Sequence, residues 1–201
     1  MPTRLAAHSR STPRLELRPF RRRDLDSLLE AVTESKPHLE PWLPWAADHY
    51  KRPDALRFIR DSLAAWADGR AFDMAIRAHD NPDDHLGNIS VWHTSRRERS
   101  GEIGYWVRSS ATQRGVATEA GARVVQAAFD ELDLHRVTLR IAVGNRASER
   151  IAEKLGFLQE GVLRREVFIR GQWVDHSLWA MIDDEFHREQ PRYVEEGWLS
   201  E

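Results

Sequence analysis

Thr112-Gln113-Arg114-Gly115-Val116-Ala117-Thr118-Glu119 is the stretch on which the reading of this chain turns. It stands between a run with strand character, Glu102 to Arg108, and a run with helix character, Ala117 to Leu132. A strand that passes through glycine straight into a helix leaves several backbone N–H groups without partners, and the positive end of the helix dipole lies beside them. Such a turn can receive a phosphate. Gly115 lets the backbone approach closely, Ala117 keeps the first turn free of bulk, and Arg114 adds a mobile positive charge. The stretch therefore reads as a pyrophosphate-binding turn. An ordinary strand-to-helix loop containing a glycine has the same local pattern.

On the N-terminal side, Leu15 to Arg18 alternates as a strand ending at Pro19. Asp24 is placed to cap a helix through Leu25, Leu28, Leu29 and Val32, which Pro37 is expected to end. His38-Leu39-Glu40-Pro41-Trp42-Leu43-Pro44-Trp45 has too many prolines for a regular helix. Its Trp42 and Trp45 read either as the wall of a pocket or as a seal on the core edge. Pro53 opens a helix with Leu56, Ile59, Leu63 and Trp66 on one stripe, stopped by Gly69. Phe72 to Ala78 and Leu86 to Thr94 form a hairpin about the turn Asn81-Pro82-Asp83-Asp84, whose acids lack the spacing of a calcium loop.

On the C-terminal side, the glycine turn's helix carries Gly121, Val124, Val125, Ala128 and Leu132 on one stripe. Val137, Leu139 and Ile141 share a face of a strand over Arg136 to Val143. Asn145 caps a short helix with Ile151 and Leu155 inward, closed by Gly156. Phe157 to Ile169 and Trp173 to Ile182 make a final hairpin about Arg170-Gly171-Gln172, and a polar tail follows from Glu185, with Trp198 as its one anchor. The order β-α-α-β-β-β-α-β-α-β-β predicts an α+β fold, a mixed and largely antiparallel sheet carrying helices.

The chain has 201 residues, enough for one sizeable domain. Segments 1–13, 14–186 and 187–201 read as a flexible N-terminal segment, a single domain and a polar tail. Hydrophobic content of 41% with 31% charged residues is that of a soluble globular protein. A formal charge of −2 gives no general attraction to nucleic acid or membrane. Arginine far outnumbers lysine, which occurs only at Lys36, Lys51 and Lys154. Cysteine is absent, which excludes disulfides, thiolate metal sites and cysteine nucleophiles. No apolar run approaches the ~20 residues of a membrane span, and the arginine-rich start lacks the apolar core of a signal peptide. A cytoplasmic protein is expected.

Three segments together resemble the GNAT (Gcn5-related) N-acetyltransferases, in particular their RimJ/RimL-like branch of ribosomal-protein-alanine acetyltransferases. They are Glu102-Ile103-Gly104-Tyr105-Trp106-Val107 with Gly115 to Ala120, Asn145-Arg146-Ala147-Ser148 with Glu153 to Phe157 and Glu160-Gly161, and the loop His38 to Trp45. The resemblance spans Leu15 to Ile182. It implies a GNAT-type sheet splayed at its centre with helices on both faces. It also implies acetyl-CoA as co-substrate, no metal, and a primary amine as acceptor, either a protein N-terminus or a small molecule. By analogy with such relatives, a homodimer is expected. Residues 112 to 117 match the family's pyrophosphate loop, with donors from Arg114, Gly115, Val116, Ala117 and Thr118. Thr112 departs from the Gln or Arg usual at the first position.

The strand matching Ile103, Tyr105 and Val107 is expected to hold the pantetheine arm through its backbone. Asn145 matches an Asn that contacts that arm, and it fits a helix cap equally well. The family's usual acid, a Tyr on the short helix, is replaced by Ala152. The branch places a Ser at Ser148, whose hydroxyl would hydrogen-bond the departing sulfur. Thioester aminolysis also needs a neutral amine and a donor for the developing oxyanion. Candidates for the base are Glu102, Glu166, Asp175, His176 or a water relay. Glu102 shares a strand face with Gly104 and Trp106. Transfer of a longer acyl group such as succinyl, and a non-catalytic coenzyme A sensor, are the competing readings.

Overall fold

The computed structural model describes residues 5–47 and 50–200. Eight strands form one sheet: β1 (Arg10–Ser11), β2 (Leu15–Pro19), β3 (Ala71–Ala78), β4 (Gly87–Ser95), β5 (Ser100–Val107), β6 (Arg136–Ala142), β7 (Leu158–Ile169) and β8 (Gln172–Ile182). Six α-helices accompany them among the described residues: α1 (Leu25–Leu39), α2 (Pro44–Ala47), α3 (Arg52–Asp68), α4 (Val116–Gln126), α5 (Arg146–Leu155) and α6 (Asp183–Glu195). The strand order is β1-β2-β3-β4-β5-β6-β8-β7, antiparallel except for β5 with β6. The expected mixed, largely antiparallel sheet is what forms.

That parallel pair is short. It runs from Ser100 opposite Arg136 to Glu102 opposite Thr138 and goes no further. Beyond it, β5 stays with β4 as far as Val107 while β6 stays with β8 as far as Ala142. Two strands that begin paired and then follow different neighbours must diverge, and the sheet opens at its centre.

Side-chain alternation divides the core into two. Ile103 and Val107 of β5 join Val137, Leu139 and Ile141 of β6 under α4, α5 and α6. On the other face Trp106 packs with Leu28 and Val32 of α1 and Ile59 of α3. The helix after the glycine turn ends in one wide π turn, Ala127–Glu131. Gly69 and Gly156 close α3 and α5 at φ of 64° and 83°, conformations that glycine adopts without strain.

Several local expectations are corrected. Pro37 lies inside α1, whose end reaches Leu39; near the C-terminus it forfeits only one ladder bond. Asp24 does not cap α1, because its carboxylate accepts from Arg18 at 2.8 Å and from the Arg21 N–H at 2.7 Å. Leu56 and Leu63 are 52% and 36% exposed, while α3 turns Ala55, Ile59, Ser62 and Trp66 inward. The region expected to be a polar tail is α6 and its continuation, with Phe186, Tyr193 and Leu199 buried in the main core and Phe186 stacked on Phe129. At the other end residues 1–4 lie outside the described residues, but Leu5 and Arg10 are buried, so the expected flexible segment is in part packed. The Trp-rich loop is split between the end of α1 and the single turn of α2.

Candidate active site

The glycine turn leaves a row of backbone N–H groups open at the start of α4. Gly115 takes φ 78° at the start of α4, and no side chain caps the helix. Its first N–H groups, at Val116, Ala117 and Thr118, precede the first ladder bond, which Glu119 N–H gives to the Gly115 carbonyl at 3.0 Å. Gln113 is also left-handed, at φ 59°. Thr112 donates its hydroxyl to the Ser109 carbonyl at 2.8 Å, so its side chain shapes the loop.

Two residues remote in sequence brace this turn. Glu119 is fully buried and accepts from Thr12 Oγ1 at 2.5 Å, from the Arg14 N–H at 2.9 Å and from Arg14 Nε at 2.6 Å. Arg14 Nη1 also donates to the Arg114 carbonyl at 3.0 Å. The Arg14 guanidinium thus lies against the glycine turn, held by a buried carboxylate. Nothing in the linear sequence marks Arg14 out, since it is 105 residues from its partner.

Where β5 leaves β6, the Tyr105 hydroxyl meets Ser148 Oγ at 3.0 Å. Ser148 is set in the first turn of α5, with its N–H donated to Asn145 Oδ1 at 3.2 Å. Asn145 is therefore the helix cap in this structure. Burial pushes the Tyr105 phenol up to about 12, so it remains a proton donor throughout the neutral range. Ala152 is buried at the position where the resemblance called for the usual Tyr. The sequence implies only a backbone role for Tyr105, because the partner of its hydroxyl is 43 residues away.

On the opposite face, the two glutamate candidates are brought together by an arginine. Arg140 Nε and Nη2 reach the Glu102 carboxylate at 3.0 and 2.9 Å, and Nη1 reaches Glu166 Oε1 at 2.7 Å. Burial pushes the Glu102 carboxyl up, and the Arg140 hydrogen bonds oppose it without cancelling it. Glu166 Oε2 is buried without a partner. Asp175 and His176 are occupied elsewhere: Asp175 accepts from the Arg165 N–H at 2.7 Å, and His176 Nδ1 lies 3.3 Å from the Val174 carbonyl.

Beside this cluster a cavity of about 710 Å³ opens between the sheet and helices α1 and α3. Asn88, Ser90 and Trp92 of β4 and Gly104 of β5 form its floor, and a side chain at 104 would press on Trp92 at 3.2 Å. Trp45 stands at its rim, 5.8 Å from Tyr50 and 6.1 Å from Trp106 between ring centres. Trp42, the other tryptophan proposed for the substrate, does not line it. Ser90 Oγ donates to Asp73 at 2.6 Å. Among the described residues no cluster of three His, Asp or Glu side chains is arranged to hold a metal, and no helix is long and apolar enough to cross a membrane.

A divided sheet with an uncapped helix start at one end of the opening and a cavity on the other face is the frame of an acyl-CoA-dependent transferase. The chain belongs to the GNAT acetyltransferases, whose domain model matches residues 14–158. It is 30% identical over 176 residues to the "Putative ribosomal N-acetyltransferase YdaF" of Bacillus subtilis (strain 168), covering 84% of this chain and 91% of that one. It is 24% identical over 170 residues to the ribosomal-protein-serine acetyltransferase of Escherichia coli (strain K12), covering 85% and 93%. Mycobacterium smegmatis RimJ, solved in complex with CoA-disulfide, superposes with a TM-score of 0.82 at 30% identity over 91% of this chain and 89% of that one. The RimJ/RimL-like resemblance read from the sequence is confirmed, and the protein is an N-acetyltransferase.

Proposed function

We propose that the protein transfers acetyl from acetyl-CoA directly to the primary amine of a polypeptide N-terminus, acting in the cytoplasm and without an acyl-enzyme. The observation that carries this reading is the divergence of β5 from β6 after Glu102, which lies between the α4 phosphate turn and the cavity. The pyrophosphate takes the free N–H groups of Val116 to Thr118, with Arg14 and Arg114 alongside. The pantetheine arm follows the unpaired edge of β5 from Ile103 to Val107, which leaves the thioester at the cavity.

Glu102 receives the amine's proton, directly or through water, since burial has moved its carboxyl toward the range where a carboxylate is a useful base. The amine attacks the thioester carbon, and the C–S bond breaks as the tetrahedral intermediate collapses. Ser148 donates its hydroxyl hydrogen bond to the departing sulfur while accepting one from Tyr105. This pair takes the place of the missing helix Tyr. Arg140 is already held by two carboxylates, so it offers no free cation to a succinyl group, which favours acetyl. The polypeptide acceptor is supported by the relatives named for ribosomal proteins.

Thermal unfolding with acetyl-CoA and with succinyl-CoA tests the donor. Ligand at about 100 times its Kd adds ~2.7 kcal/mol, a rise of roughly 5–10 °C for a chain of this size. Thiol release on adding N-terminal peptides then separates an enzyme from a sensor. No shift with either donor, or a shift with no turnover on any amine, refutes the reading.

A further inference from the structure

The cavity floor contains a polar device that the transfer chemistry does not use. His85 is fully buried, and its Nε2 lies 2.6 Å from Asn88 Oδ1. Its other nitrogen, Nδ1, is buried without a partner, as is Nε of the neighbouring Arg77. A buried ring nitrogen left alone is better left as a lone pair than as an N–H, because orphaned donors are the rarer and costlier defect. The positive charge of Arg77 pulls the same way. The proton therefore sits on Nε2 and is given to Asn88 Oδ1.

That bond fixes which way the Asn88 carboxamide points. With Oδ1 committed to His85, the amide nitrogen is turned to the cavity that Asn88 lines, and it has no hydrogen-bond partner among the described residues. Asn88 is only 6% exposed, so this donor is largely shielded from bulk water and offered to whatever enters the cavity. An unpartnered N–H on a largely buried side chain discriminates between ligands, since one without an acceptor leaves it unsatisfied.

Most of the other carboxylates and hydroxyls of the cavity are already engaged, the Tyr50 hydroxyl being the exception. The Asp54 carboxylate is paired with Arg57, Asp61 is paired with Arg60 at 2.9 Å, and the Ser90 hydroxyl is given to Asp73 at 2.6 Å. The rest of the wall is largely apolar, from Leu28, Val32 and Phe58 to Trp92 and Trp106. Each carboxylate of the wall, Asp54 and Asp61, already faces an arginine, which weakens its hold on the second charge of a diamine or polyamine.

We propose that Asn88, oriented by His85, is the residue that selects the acceptor, its amide N–H hydrogen-bonding an uncharged carbonyl of the amine-bearing molecule. The inference rests on the acetyl-transfer reading and narrows it to carbonyl-bearing amines such as peptides, with His85 as a positioning residue. Polyamines and simple alkylamines are the disfavoured class.

The test compares kcat/KM for a free-N-terminus tripeptide amide and for hexylamine, followed by thiol release, in wild type, Asn88→Leu, His85→Phe and His85→Gln. The two amines differ in basicity, and that difference cancels when their ratio is compared between variants. The ratio is expected to fall at least 10-fold in Asn88→Leu and by a smaller factor in His85→Phe. His85→Gln, which keeps a side-chain N–H donor, should recover part of it. A donor-induced thermal shift in each variant reports that it is folded. An unchanged ratio in folded Asn88→Leu, or a wild type that prefers spermidine to the peptide, overturns the inference while leaving acetyl transfer standing. Absence of thiol release with every amine overturns the transferase reading beneath it.

Discussion

Replacing Tyr105 by Phe removes one oxygen and keeps the ring that fills the space below α5. In the wild type that oxygen is 3.0 Å from Ser148 Oγ. A net hydrogen bond of this kind contributes about 0.5–1.5 kcal/mol. If it strengthens as charge develops on the departing sulfur, the loss appears in the transition state, about 10-fold in kcat for ~1.4 kcal/mol. Ser148→Ala removes the group nearest the sulfur and should cost more, roughly 100-fold, by comparison with the removal of other transition-state donors. KM for acetyl-CoA should change little in either variant, because the phosphate turn and the β5 edge are untouched. The informative measurement is the double variant. Since Tyr105 acts only through Ser148, Tyr105→Phe on a Ser148→Ala background should have almost no further effect, giving a coupling of about 1.4 kcal/mol. Single-turnover thiol release at saturating acetyl-CoA measures each rate. Additive losses, or a Tyr105→Phe enzyme with wild-type kcat, would refute the relay.

Three further outcomes follow from the same contacts. Glu119→Ala strands the buried Thr12 hydroxyl and the Arg14 N–H. With Arg14 itself half-exposed, the cost should be about 2 kcal/mol, or roughly 4–8 °C in Tm, and coenzyme affinity should weaken as the turn loosens; a Tm within 1 °C of wild type by the same scale would contradict the bracing role. Arg140→Met removes the hydrogen bonds that hold Glu102 down against burial. Its carboxyl should rise further, and the acidic limb of the kcat/KM profile should move to higher pH; an unmoved limb assigns the base elsewhere. His85 is held neutral, its ring pushed down to about 3 by burial first and by Arg77 second. The unfolded chain takes up that proton below about 6.5, so this part of the stability is complete above that pH and is lost as pH falls toward 3. Urea midpoints between those limits should fall with pH less steeply in His85→Gln than in wild type.

What the chain alone determined is local. The turn at Gly115, the stops at Gly69 and Gly156, the alternation of Val137, Leu139 and Ile141 and the cap at Asn145 each depend on neighbours within a turn or two, where periodicity and backbone freedom act directly. These features were enough to give the order of β2 to β8 with α1, α3, α4 and α5, the mixed sheet and, through three segments, the family. Tertiary structure decided what the side chains meet. Leu56 and Leu63 follow the helical stripe in sequence, yet α3 is rolled so that Ser62 is buried and they are exposed. The polar-looking end becomes α6 because Phe186 and Tyr193 find Phe129 and the core beneath α4, and no local pattern announces that surface. The site is the extreme case. Tyr105 meets Ser148, Arg14 meets Glu119 and Arg140 gathers Glu102 with Glu166 across separations of 43, 105, 38 and 26 residues. Such pairs are set by strand register and by the angle at which β5 leaves β6. A single residue of slip would turn each of these strand residues to the opposite face.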